Sequence, residues 1–200
     1  GRLDTYEGLY DYMMVEAYPA LGRDQIPLFP NVIREAKLMH DTEREIWAIA
    51  QIHRQPIRKG ISGRWPTNDE VTVEVYIELV MGAKSMYYFT FDSTTRELME
   101  HVKLLNREMR TIEHALIADA IPVRGKDFFG GRRALATLRP DKNGKVLLIG
   151  ANTSTRTASK IRLPTGYRFD ASLFEAAQFD DKYVTIPPMS RVVLRGSQLN

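Results

Sequence analysis

A chain of 200 residues with net charge +3, 44% hydrophobic and 26% charged residues has ordinary globular make-up, which excludes wholesale disorder. It has no cysteine, which excludes disulfides, thiolate metal sites and a cysteine nucleophile. No apolar run approaches the roughly 18 residues of a membrane span, so no membrane partner is expected. The charge is uneven. Residues 1–118 carry 14 basic and 18 acidic side chains, whereas residues 119–200 carry 14 and 7.

In chain order, residues 11–18 form a short apolar run closed by Pro19, which reads as a buried strand. After a loop rich in Gly22, Pro27 and Pro30, Asn31 caps a helix to about Asp41. Residues 45–51 are a second buried strand. Thr67 with Glu70 three residues on is a capping box, and it opens a helix with Val71, Val75, Tyr76 and Leu79 on its apolar face. Gly82 ends that helix. Residues 85–91 are a third strand, apolar on both faces as parallel strands are. A second box, Thr94 with Glu97, opens a helix to about Ala118, striped by Leu98, Val102, Leu105, Met109, Ile112 and Leu116. Strand–helix repetition predicts parallel strands joined by crossover helices. No glycine-rich phosphate loop follows any strand, so no nucleotide cofactor is expected.

The period then changes. Short strand-like runs at 132–138, 145–152, 158–163, 167–170, 172–174, 183–186 and 191–194 alternate with turns such as Pro140 to Gly144 and Pro187-Pro188. This pattern predicts a small antiparallel β-sandwich. The change of pattern coincides with the change of charge, so the domains are expected at 1–118 and 119–200. The four histidines, His40, His53, His101 and His114, lack metal-ligand spacing, and no metal is expected. No basic-aromatic module points to nucleic acid.

Several segments resemble the C-terminal part of (β/α)8-barrel glycoside hydrolases with an appended β-sandwich. The run from Arg64-Trp65-Pro66-Thr67 through Gly82-Ala83 to Phe91 is similar to a final helix-and-strand unit. Val15-Glu16-Ala17-Tyr18-Pro19 resembles a sixth-strand ending, with glutamate where aspartate is usual, and Trp47 with Gln51 resembles the seventh strand. Residues 145–152 and 184–194 resemble strands of the appended sandwich. The resemblance is diffuse and selects no single family. It implies α/β plus all-β architecture: about three βα units of a barrel, then a sandwich. A whole barrel takes about 250 residues, so five strands are expected to lie outside this chain. Gly1-Arg2-Leu3-Asp4 is no signal peptide, and the true N-terminus is expected to be absent. The open sheet edge would need the N-terminal part of the same enzyme, or a second copy, to cover it.

Barrel enzymes place their sites at the C-terminal ends of the strands. The resemblance therefore marks Glu16 and Tyr18, Gln51 and His53, and Asp92, with Arg64 and Trp65 from the loop between the second and third strands. Glycoside hydrolysis needs two carboxyl groups. Glu16, inside an apolar strand end where burial would suit acid–base work, is the catalytic candidate; it could equally accept hydrogen bonds from a sugar or an arginine. Asp92 is either a site residue or the turn before Thr94. Gln51 stands where many such enzymes carry an anionic nucleophile, so it and Arg64 read as substrate-positioning donors. Trp65 and Tyr18 suit stacking on a sugar ring. The substrate implied is an oligo- or polysaccharide. A non-catalytic carbohydrate-binding or interaction module is the alternative.

Overall fold

A computed structural model describes residues 12–16, 33–34, 37–38, 45–54, 63–89 and 94–199. Its architecture is mixed α/β, with many strands and few helices. The chain divides into two compact units, Gly1–His101 and Val102–Asn200. The helix expected after Asn31 is represented by residues 33–34 and 37–38, all helical.

In the first unit β1 (Tyr12–Glu16), β2 (Glu45–Gln51) and β3 (Ser85–Phe89) form one sheet in that order. Both pairings are parallel, as the strand–helix repetition requires. Helix α1 (Asn68–Val80) joins β2 to β3 and packs against β2. Its start follows from the sequence: Thr67 Oγ1 accepts from Glu70 N, and Glu70 Oε2 accepts from Thr67 N. Gly82 stops it, with a φ of +102° that costs a side chain least when there is none.

Every residue of α1 from Glu70 to Val80 is buried. The one-sided helix expected from Val71, Val75, Tyr76 and Leu79 is therefore covered all round, and it takes its glutamates into the interior.

The division between the units falls within helix α2 (Arg96–Ile117), after His101. Its cap is Thr95, whose Oγ1 accepts from Leu98 N at 3.2 Å, and not Thr94. Adjacent threonines offer the same hydroxyl, and the one three residues before a free helical N–H takes the bond.

The second unit holds two antiparallel sheets. Five strands run β4 (Phe128–Gly130), β5 (Ala134–Pro140), β6 (Lys145–Asn152), β11 (Ser190–Gln198), β8 (Tyr167–Ser172) across one sheet. The other is β7 (Ser159–Arg162), β10 (Tyr183–Ile186), β9 (Gln178–Phe179). Both sheets feed one apolar core that includes Ala136, Leu148, Ile161, Val184, Ile186 and Leu194. Strands β4 and β9 were not expected, and residues 172–174 form no strand of their own. The chain kinks where β11 meets β8: the register slips between Arg195 and Gly196, and a Cβ on Gly196 would sit 2.3 Å from Arg168 O.

The opposite face of the five-stranded sheet is tied to α2. Arg191 of β11 clamps Glu108 through both carboxylate oxygens and reaches Glu175 at 2.7 Å. Asp141, after β5, takes His114 Nε2 on one oxygen and Arg195 Nε at 2.8 Å on the other. Burial disfavours the charged form of Asp141, but His114, the Lys142 N–H and Arg195 outweigh it and hold the carboxyl below its ordinary range.

Candidate functional site

Parallel pairing brings the C-terminal ends of all three strands to one end of the sheet. Registered residues of adjacent strands share a face. One row is Met14, Trp47 and Ser85; the next is Glu16, Ile49 and Tyr87; the last is Gln51 and Phe89. Glu16 and Gln51 thus lie on the same face, one row apart. The reverse face, with Val15, Ile46, Ala48 and Ala50, is buried. The first face is partly open, with Met14, Tyr87 and Phe89 each more than 40% exposed. Trp47 and Tyr87 stack at a tilt, their centroids 5.7 Å apart.

Glu16 is exposed. The burial expected of it is not provided by the described residues, although Ile49 and Gln51 on the same face are buried. Tyr18 and Asp92 lie outside the described residues.

Gln51 is fully buried. Its Nε2 donates to His53 O at 3.1 Å, and its backbone N–H donates to Glu74 Oε1 at 3.1 Å. His53 is buried too; its Nδ1 lies 2.9 Å from Phe89 O, and since a carbonyl only accepts, Nδ1 carries the hydrogen. Its ring meets Phe89 edge to face at 5.2 Å. Ile52 N also donates to Phe89 O. These bonds bind the ends of β2 and β3 together.

Arg64 donates Nη1 to Glu70 Oε2 at 2.7 Å, Nη2 to Glu70 Oε1, and Nη1 again to the carbonyl of half-buried Trp65. Burial opposes ionisation of Glu70, yet Arg64 and the Thr67 N–H hold it below the usual carboxylate range. The guanidinium is correspondingly raised by that pairing. Arg64 therefore fixes the start of α1. Among the described residues no three His, Asp or Glu side chains are grouped as metal ligands would be.

The structure adds two residues that sequence reading passed over. Glu74 and Glu78 are fully buried on α1, one turn apart. Their signal was visible: glutamates at 70, 74 and 78 recur at helical spacing in a helix whose residues from Val73 on are otherwise apolar.

No family model and no curated protein matches this sequence. Solved structures do match it. The fold resembles part of the fold of solved glycoside hydrolases. A GH27 β-L-arabinopyranosidase from Geobacillus stearothermophilus, in complex with arabinose, aligns with a TM-score of 0.54 at 11% identity, covering 94% of this chain and 46% of its own. A putative α-galactosidase from Bacteroides fragilis aligns at 0.53 and 11% identity, covering 95% of this chain and 43% of its own. α-Galactosidase I from Mortierella vinacea gives 0.52 and 10%, with 94% and 53% covered. The chain thus spans about half the length of the solved structures it matches. The glycoside-hydrolase resemblance read from the sequence agrees with these neighbours at the level of fold, and no one family is selected at this identity.

Proposed function

We propose that this chain is the C-terminal portion of a glycoside hydrolase acting on an oligo- or polysaccharide. Residues 1–118 are the last three strands of a (β/α)8 barrel with their helices, and residues 119–200 are an accessory β-sandwich that buttresses it. The observation that carries this reading is the parallel sheet whose strand ends bring Glu16 and Phe89 to one partly open face, with the buried Gln51 in the same row as Phe89, in a chain that aligns with about half the length of solved glycoside hydrolases. Preceding strands of the same enzyme, or a second copy, close the cylinder over that face and bury Glu16.

In that site Glu16 transfers the proton: it protonates the glycosidic oxygen as the C–O bond breaks, or takes a proton from the attacking water. The second carboxyl comes from a strand outside this chain. Tyr18, Trp65 and Asp92 line the sugar. Gln51, His53 and Arg64, held by the protein bonds described above, shape the rim beneath it.

The test is turnover of a panel of aryl glycosides by the protein extended through its preceding strands. Glu16→Gln is expected to lower kcat at least about 100-fold with the fold intact. Unchanged turnover removes Glu16 from the chemistry. No hydrolysis of any glycoside, with glycan binding by calorimetry, overturns the hydrolase reading in favour of a carbohydrate-binding module, which the amide at Gln51 in place of a carboxylate would then explain.

A further inference from the structure

The interface between α1 and β2 buries two carboxyls that no cation among the described residues neutralises. Glu74 and Glu78 are each 0% exposed. Glu74 Oε1 accepts the Gln51 N–H, while Glu74 Oε2 and both oxygens of Glu78 have no hydrogen-bond partner among the described residues. The strand beneath leaves room for them, because the buried face of β2 carries Ala48 and Ala50 where larger side chains would fill the space. No cation offsets the pair among the described residues. On α1 the third buried carboxyl, Glu70, is already matched by Arg64, and Asp69 in the first turn is exposed. The buried face of β2, Ile46, Ala48 and Ala50, brings no charge. His101 of α2 reaches α1 at Thr72, whose hydroxyl it meets at 2.7 Å, on a different side of the helix from Glu74.

Two anions one helical turn apart in a dry interface repel each other and lack solvation, so ionising both is costly. We propose that Glu74 and Glu78 form a protonation latch between α1 and the end of β2, closed while the pair keeps its protons and released as they leave. Because Glu74 holds the Gln51 N–H, the latch sets the geometry of the strand end in the candidate site. Only that consequence rests on the function proposed above; the latch itself needs no substrate.

Burial drives both carboxyls well above the ordinary range, and the charge of Glu78 adds to the effect at Glu74. The sign follows. Below about pH 4.3, the ordinary glutamate value, folded and unfolded chains are both protonated and the latch contributes fully. As pH rises the unfolded chain gives up its protons first, so stability falls until the folded pair also ionises.

The two tryptophans, Trp47 and Trp65, both lie in the unit Gly1–His101, so their fluorescence follows urea unfolding of that unit in the intact chain. The wild-type midpoint is expected to fall steadily from pH 5 to pH 9. In the Glu74→Gln/Glu78→Gln double variant it should stay nearly level and exceed the wild type at pH 9. Parallel slopes in the two proteins overturn the proposal. Should the double variant fail to fold, wild-type refolding at pH 7 in weak buffer decides: uptake of about one proton or more per chain supports the latch, and no uptake overturns it. Hydrogen exchange at the Gln51 amide, corrected for base catalysis, reads the positioning role. Protection should be lost at high pH in the wild type and retained in Glu74→Gln; equal protection in both overturns that role. None of these readouts involves sugar, so failure of the latch and failure of the hydrolase reading are separable.

Discussion

Asn152 and Glu78 are both 0% exposed, and they are treated in opposite ways. Asn152 sits at the end of β6. Its Nδ2 lies 2.9–3.0 Å from the carbonyls of Thr157, Ile186 and Pro187, and its Oδ1 accepts from Ser154 N and Ser159 Oγ. Glu78, on α1, has no hydrogen-bond partner on either oxygen among the described residues. The same contrast holds for charge. In the unit Val102–Asn200 the buried carboxylates Glu108 and Asp141 are each matched by arginine. In the unit Gly1–His101 one of three buried glutamates on α1 is matched. The antiparallel unit matches its buried carboxylates and Asn152 from within, although Arg139 Nε finds no hydrogen-bond partner among the described residues. The parallel unit leaves Glu74 and Glu78 without a matching cation among the described residues, and it also presents Met14, Tyr87 and Phe89 on a partly open face. That difference supports the proposal that the strands β1–β3 belong to a larger sheet.

The largest effect is expected at the Glu108 clamp. Arg191→Ala leaves a buried carboxylate without its cation and should destabilise the antiparallel unit by about 3–5 kcal/mol, read by circular dichroism in urea. A loss below about 1 kcal/mol would mean the pair is solvated, and the contrast between units would weaken.

Asn152→Ala comes next. It strips three carbonyls of their donor, and roughly 2–4 kcal/mol should be lost, measured in the same way. Glu78→Gln makes the comparison sharp: at pH 9 it should stabilise where Asn152→Ala destabilises, although both positions are equally deep.

Much of this was legible in the sequence. Residues 45–51, 145–152 and 183–186 form strands with the bounds their apolar runs gave, and the Thr67–Glu70 box starts α1 as its spacing requires. The turn after Pro140 announced itself through Asn143 and Gly144, which take left-handed φ values of 58° and 70°. What escaped depends on tertiary surroundings. Strands of two and three residues, β9 and β4, carry no period to read. Glu74 and Glu78 look like the solvent side of an amphipathic helix until the helix is found buried all round. The exposure of Glu16 depends on what stands opposite β1, and local sequence says nothing of that.

The central proposal is that β1–β3 are staves of a larger cylinder whereas the antiparallel unit needs no further strands. Backbone hydrogen exchange, compared between the 200-residue chain and the protein extended through its preceding strands, tests it most directly. The edge strands β1 and β3 should be markedly better protected in the longer protein, with β5, β6 and β11 unchanged. Equal protection of β1 and β3 in both proteins would show that the sheet is already whole, and would contradict the account.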